Sequence, residues 1–165
     1  MSSPTLTVSA RWLGAYRCDV TSGDFTIPVD EPESVGGTNQ GPQPTELLLA
    51  ALSSCFTLAV AYSAAKRGIE LSHLGVEVTG TYDGPRFSAL EIRVDAGCAD
   101  DVKERLLAAA ARVCYVSNTI RDTPEMSVRA VAEAERIGAV DGDSGEAPSE
   151  AVARAARERS EQERE

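Results

Sequence analysis

The feature that most limits what this chain can fold into is a run of nineteen residues, Leu47 to Ala65, without a single charged side chain. Pro44 just before it suits a first helical turn, and Gly68, after Lys66-Arg67, suits a stop. The run therefore predicts one long helix that is apolar on nearly every side. Its length approaches that of a membrane span, but Ala and Ser dominate it, and Cys55, Thr57 and Tyr62 add further small or polar positions. It is too weakly hydrophobic to face lipid. The expectation is a helix at the centre of a soluble core, with no membrane partner.

Period-two alternation surrounds this helix. Leu6, Val8, Ala10 and Trp12 alternate with Thr7, Ser9 and Arg11 as a half-buried strand, and Tyr16 to Thr21 returns after a turn at Gly14. FTIPVD supplies a third strand, with Pro28 favouring an edge, and Glu31 to Gln43 is a loop rich in Gly, Pro and Asn. Beyond the helix, Val76, Val78 and Tyr82 and then Leu90, Ile92 and Val94 alternate on either side of Asp83-Gly84-Pro85, a second hairpin. A second helix starts near Ala99 to Val102, with Asp100 and Asp101 where the helix dipole favours acids, and ends close to Cys114. SNTIRDTPE reads as a connection, and Met126, Val128 and Ala130 as a last strand. This order predicts an α+β fold, antiparallel sheets around two central helices.

Charge narrows the partners. The chain of 165 residues carries a net charge of −10, and half of it comes from Glu133 to Glu165, with ten acidic against five basic side chains. No nucleic acid or anionic lipid surface is expected to bind such a chain. The acidic end has few large apolar residues to bury, so the expected division is a folded domain over 1–134 and a solvated tail over 135–165. The opening MSSPTLTVSARW has no basic segment followed by an apolar run, so a cytoplasmic location is expected.

The cysteines, at 18, 55, 98 and 114, form no CxxC pair, and His73 is the one histidine. A metal site is not expected, and in a reducing compartment the cysteines are free thiols with at most one transient catalytic pair. Read by itself, each is an ordinary small core residue. Cys18 on a strand and Cys98 before a helix keep that reading, and His73 in a polar turn has no assigned role.

The order of motifs carries more. Gly36-Gly37, then GPQPTELLLAAL at 41–52, Cys55 in the same helix, RGIELSHLGVEVTGTYD at 67–83, and a helix ending in Cys114 followed by Val116-Ser117 resembles the OsmC/Ohr family over residues 5–132. The resemblance implies an OsmC-like fold in an intertwined homodimer, and thiol-dependent reduction of organic hydroperoxides without a cofactor. It implies Cys55 as the attacking thiol and Cys114 as the resolving one. A dithiol reductant, a lipoyl protein or a thioredoxin-like protein, is then the second partner beside the hydroperoxide.

A cysteine far from a helix N-terminus needs another positive group to lower its pKa. The family takes an arginine from the first hairpin, and here Arg17, just past the Gly14 turn, or Arg11 on the first strand is the candidate. The family's acid at the start of the cysteine helix corresponds to Glu46 or, by position directly after the proline, to Thr45. Glu46 and Cys55 are nine residues apart, about 13 Å along a helix and half a turn around it. Sharing a site thus requires a distorted helix or an acid from a second subunit. Tyr115, where many relatives have proline, is expected to extend the helix by a residue and shift the resolving thiol. A rival reading is a dimeric OsmC-like protein that binds an apolar small molecule and uses its thiols little.

Overall fold

The computed structural model describes residues 3–132 together with Glu135 and Ile137, so the expected acidic tail lies almost wholly outside the described residues. The chain divides into two compact units, residues 1–44 with 128–165, and residues 45–127.

The first unit carries an antiparallel sheet in the order β1 (Ser9–Gly14), β2 (Arg17–Ser22), β3 (Phe25–Val29). Turns set its register: Gly14 (φ 111°) and Ala15 (φ 44°) reverse the chain so that Gly14 lies opposite Arg17 and Trp12 opposite Cys18. Pro28 is on edge strand β3, where a missing N–H costs no ladder bond. The alternation of β1 is correct, but its buried face is the reverse of the one expected. Ser9, Arg11 and Leu13 are partly buried, while Trp12 and, before the strand, Leu6 and Val8 are exposed. With a period of two, register decides which whole set faces inward, and the turn fixes register without reference to polarity.

After β3 the loop closes on Asp30, whose side chain is 1% exposed. Its carboxylate accepts hydrogen bonds from Glu31 N–H (2.8 Å), Thr38 N–H (3.0 Å), Thr38 Oγ1 (2.6 Å) and Gln40 N–H (3.1 Å). Gly37 permits this closure, because a Cβ there would overlap the Glu31 carbonyl. Burial pushes the Asp30 carboxyl up, but the Thr38 hydroxyl and the three backbone donors outweigh it and hold it below the usual carboxylate value.

The second unit holds α1 (Pro44–Ala65), which starts at its boundary, the hairpin β4 (Leu74–Asp83) and β5 (Arg86–Ala96), α2 (Asp100–Val113) and α3 (Tyr115–Arg121). Val76 pairs with Val94, Val78 with Ile92 and Gly80 with Leu90, which sets one apolar face of the hairpin toward α1. Leu52, Phe56, Val60 and Ala64 of α1 meet Leu106, Ala110 and Cys114 in one buried cluster, spaced three or four residues apart as a single helix face requires. Burying a residue such as Leu52 or Leu106 completely stabilises the fold by roughly 1.5–3 kcal/mol. Ser53 Oγ donates to the Val76 carbonyl (2.9 Å), tying α1 to β4 at a point where the helix is not apolar.

Helix α1, long and apolar enough to cross a membrane, sends Leu52, Phe56, Val60 and Ala64 into the core, while Leu48, Leu58 and Tyr62 are exposed. Two expectations need correction. Met126, Val128 and Ala130 form no strand, since alternation without a paired neighbour leaves the backbone groups unmatched. The first five residues of the stretch read as a connection, Ser117 to Arg121, belong instead to α3, too short for periodicity to reveal and followed closely by Pro124.

Candidate functional site

Leu106, Ala110 and Cys114 are four residues apart on the buried face of α2, so the Cys114 side chain projects into the core with no exposed surface. Cys114 itself leaves helical geometry (φ −75°, ψ 107°). Its N–H makes the last bond of α2, to Ala110 O (3.0 Å), and its carbonyl accepts the first bond of α3, from Asn118 N–H (3.1 Å). The sulfur caps the new helix by accepting from Ser117 N–H at 3.5 Å. Tyr115 is therefore the first residue of a new helix, the position where proline is readily accommodated, and it does not extend α2.

Cys55 faces this junction from the middle of α1, and the two sulfurs are 3.4 Å apart. Burial pushes the Cys114 thiol up. Hydrogen bonds from the Ser117 hydroxyl, Ser117 N–H, the Cys55 thiol and Val116 N–H prevail and hold it below the ordinary thiol value. With both sulfurs protonated, Cys114 can donate to Cys55; once Cys114 ionises the direction must reverse, so Cys55 donates to the thiolate. The Ser117 hydroxyl also reaches the Cys114 carbonyl (3.2 Å) and can rotate between the two acceptors.

Only one of the sulfurs opens outward. Cys55 lines a groove of about 700 Å³ whose walls include Leu58, Tyr62, Arg112, Val113 and Tyr115, and Cys114 lies behind it. The arrangement can pass a small electrophile to Cys55 while keeping a second thiol in contact with it.

Cys55 and Cys114 are thus brought together. Arg11 and Arg17 are on β1 and β2 of the first unit, and Arg17 Nε is buried without a hydrogen-bond partner among the described residues. Glu46 is exposed in the first turn of α1, which runs unbroken to Ala65, so no distortion carries it to Cys55. Thr45 Oγ1 accepts from Tyr82 Oη (2.9 Å), an anchor between the helix start and β4. Cys18 and Cys98 are free thiols, Cys98 packed against the core, and His73 Nε2 meets Asp95 Oδ1 across the hairpin at 3.0 Å. Sequence reasoning missed Arg112. The available signal was its position two residues before Cys114 in the last turn of α2.

The OsmC-like protein family model matches residues 37–129, more than half of the chain. The organic hydroperoxide resistance protein OhrB of Bacillus subtilis is 26% identical, covering 72% of this chain and 92% of its own, with a TM-score of 0.54. An organic hydroperoxide resistance protein OsmC from Legionella pneumophila is 25% identical, covering 73% and 92%, with a TM-score of 0.56. An OsmC-like protein from Mycoplasma pneumoniae, 18% identical over 74% and 91%, shares the fold with a TM-score of 0.63. The two antiparallel sheets and the helices agree with these likenesses, and the chain belongs to the OsmC-like protein family.

Proposed function

We propose that this chain is a thiol-dependent peroxidase that reduces organic hydroperoxides through Cys55 and Cys114. The observation that carries this reading is the 3.4 Å sulfur pair with Cys55 alone opening onto the groove. The Cys55 thiolate attacks the terminal peroxide oxygen, the O–O bond breaks, and the alkoxide leaves as an alcohol after taking a proton. Cys55 is then a sulfenic acid. The Cys114 thiolate attacks the Cys55 sulfur, hydroxide leaves and is protonated to water, and a disulfide forms. Closing 3.4 Å to a bond of about 2.05 Å needs little movement. A dithiol reductant, a lipoyl protein or a thioredoxin-like protein, returns two electrons and two protons by exchange.

In the same reading Arg17 supplies the positive charge for the Cys55 thiolate, and Glu46 orients that arginine. The orphaned Arg17 Nε supports a role for its guanidinium, because a buried donor without an acceptor is costly. The assembly is a homodimer in the cytoplasm. Its support is the stripe Leu48, Ala51, Leu58 and Tyr62, exposed along α1 at spacings that fit a partner surface. Residues 1–134 act as one domain and 135–165 as an acidic tail.

The test combines turnover with peptide mapping. Purified protein with cumene hydroperoxide and a dithiol should consume peroxide catalytically, and one equivalent without reductant should yield the Cys55–Cys114 disulfide. No turnover with both thiols unmodified would leave small-molecule binding as the function, and a disulfide through Cys18 or Cys98 would overturn the pair.

A further inference from the structure

We infer that α3 is a redox-sensitive element: the Cys114 sulfur caps it in the reduced chain, and formation of the Cys55–Cys114 disulfide withdraws that cap and loosens residues 115–121; the inference rests on the thiol pairing proposed above. Little else in α3 favours a helix. Its seven residues include three β-branched side chains, Val116, Thr119 and Ile120, and no acid in the first turn. An isolated helix needs about 12–15 residues to be even marginally stable in water. No residue of α3 is buried, and of its side chains Val116 packs against the core cluster. The first turn therefore depends on Cys114, which stands at the N-cap with extended backbone, its sulfur accepting from Ser117 N–H at 3.5 Å and its carbonyl from Ser117 Oγ at 3.2 Å.

The same sulfur is 3.4 Å from Cys55 Sγ. An ordinary account is that Cys114 caps and pairs independently, but the two roles draw on one set of electrons. Three of the hydrogen bonds that hold the Cys114 thiol below its ordinary pKa come from the first turn of α3: the Ser117 hydroxyl, Ser117 N–H and Val116 N–H. As a thiolate the sulfur is a charged acceptor for them. When it attacks the Cys55 sulfenic acid, an electron pair on the Cys114 sulfur becomes the S–S bond, and hydroxide leaves and is protonated to water. The sulfur that remains is uncharged and a weak acceptor. The pair must also close from 3.4 Å to about 2.05 Å. Serine, asparagine and aspartate are the preferred N-caps, and none of them can be withdrawn by a bond to Cys55. Linkage runs both ways: by whatever factor the disulfide loosens α3, the folded α3 favours the two thiols, which eases the return step by the dithiol reductant.

The experiment follows amide hydrogen exchange by mass spectrometry in the full chain, reduced with dithiothreitol or oxidised with diamide, which takes two hydrogens from two thiols and needs no peroxide chemistry. In wild type, residues 115–121 should exchange about fivefold faster when oxidised, while β4 and β5 keep their rates. A cross-link acting only as a tether would slow exchange instead. Cys114→Ala, which removes the cap without oxidation, should exchange fast over 115–121 under both conditions, with unchanged β4 and β5 rates showing that it is folded. Cys114→Ser, which keeps a capping oxygen and cannot form the disulfide, should exchange slowly under both. Exchange over 115–121 that is unchanged or slower in a chain whose Cys55–Cys114 disulfide is established by peptide mapping would overturn the inference and leave the pair standing. Reduced Cys114→Ala exchanging as slowly as wild type would also overturn it. Failure of diamide to join Cys55 to Cys114 would defeat the pairing itself, and with it both the switch and the peroxidase reading.

Discussion

Asp30 and Cys114 are both fully buried, both titrate below their ordinary values, and they serve opposite ends. Burial opposes ionisation at each, and donated hydrogen bonds overcome it. At Asp30 every partner is a fixed part of one loop: three backbone N–H groups and the Thr38 hydroxyl. At Cys114 one of the partners is Cys55, a thiol on the wall of an open groove. A buried group held wholly by donors of its own loop organises that loop; one held in part by a second reactive group can change when that group is oxidised.

The largest effect is expected at Cys55. Cys55→Ser should reduce peroxide consumption to the uncatalysed rate, because a hydroxyl is a far poorer nucleophile at neutral pH. Stopped-flow rates equal to wild type would move the chemistry elsewhere. Cys114→Ser should consume about one equivalent and then stall as the sulfenic acid in intact-mass spectra, a second equivalent carrying it slowly to the sulfinic acid, because no neighbouring thiol captures the intermediate. Continued turnover would show that Cys114 is held in place without serving as the resolving thiol.

On the structural side the effects are smaller. Asp30→Ala leaves three backbone donors and the Thr38 hydroxyl without their acceptor and should lower the unfolding free energy in urea by about 2–3 kcal/mol. A change below about 0.5 kcal/mol would mean that the loop does not depend on the carboxylate. Acid should expose the same group. Its folded pKa lies below the 3.8 of a free carboxyl, so its contribution is fully present above that value and is lost as pH falls through the folded pKa. Urea melts between pH 5 and pH 2.5 should therefore show a steeper acid loss in wild type than in Asp30→Asn. Equal slopes would remove Asp30 from the acid response. The smallest effect is expected from deleting residues 140–165, which have few apolar groups to bury; melting temperature and turnover should change little, and a large loss of either would reveal an ordered element.

Much of this architecture follows from local pattern. The uncharged run from Leu47 to Ala65, bounded by Pro44 and Gly68, can form little else than one long helix, and alternation around Asp83-Gly84-Pro85 can form little else than a hairpin. The motif order around Cys55 and Cys114 led to the family and to the pair. Other features depend on contacts between distant residues, which no local period encodes. The inward face of β1 follows from a register set at Gly14 and Ala15. The Asp30 network joins residues eight and ten positions apart through backbone donors, which carry no side-chain signature. The break at Cys114 separates α2 from α3 and sets Arg112 on the same groove as a thiol 57 residues earlier in the chain. A cation in a helical last turn reads from sequence as a dipole partner; only the meeting of α2 with α1 gives it an apolar groove and a nucleophile beside it.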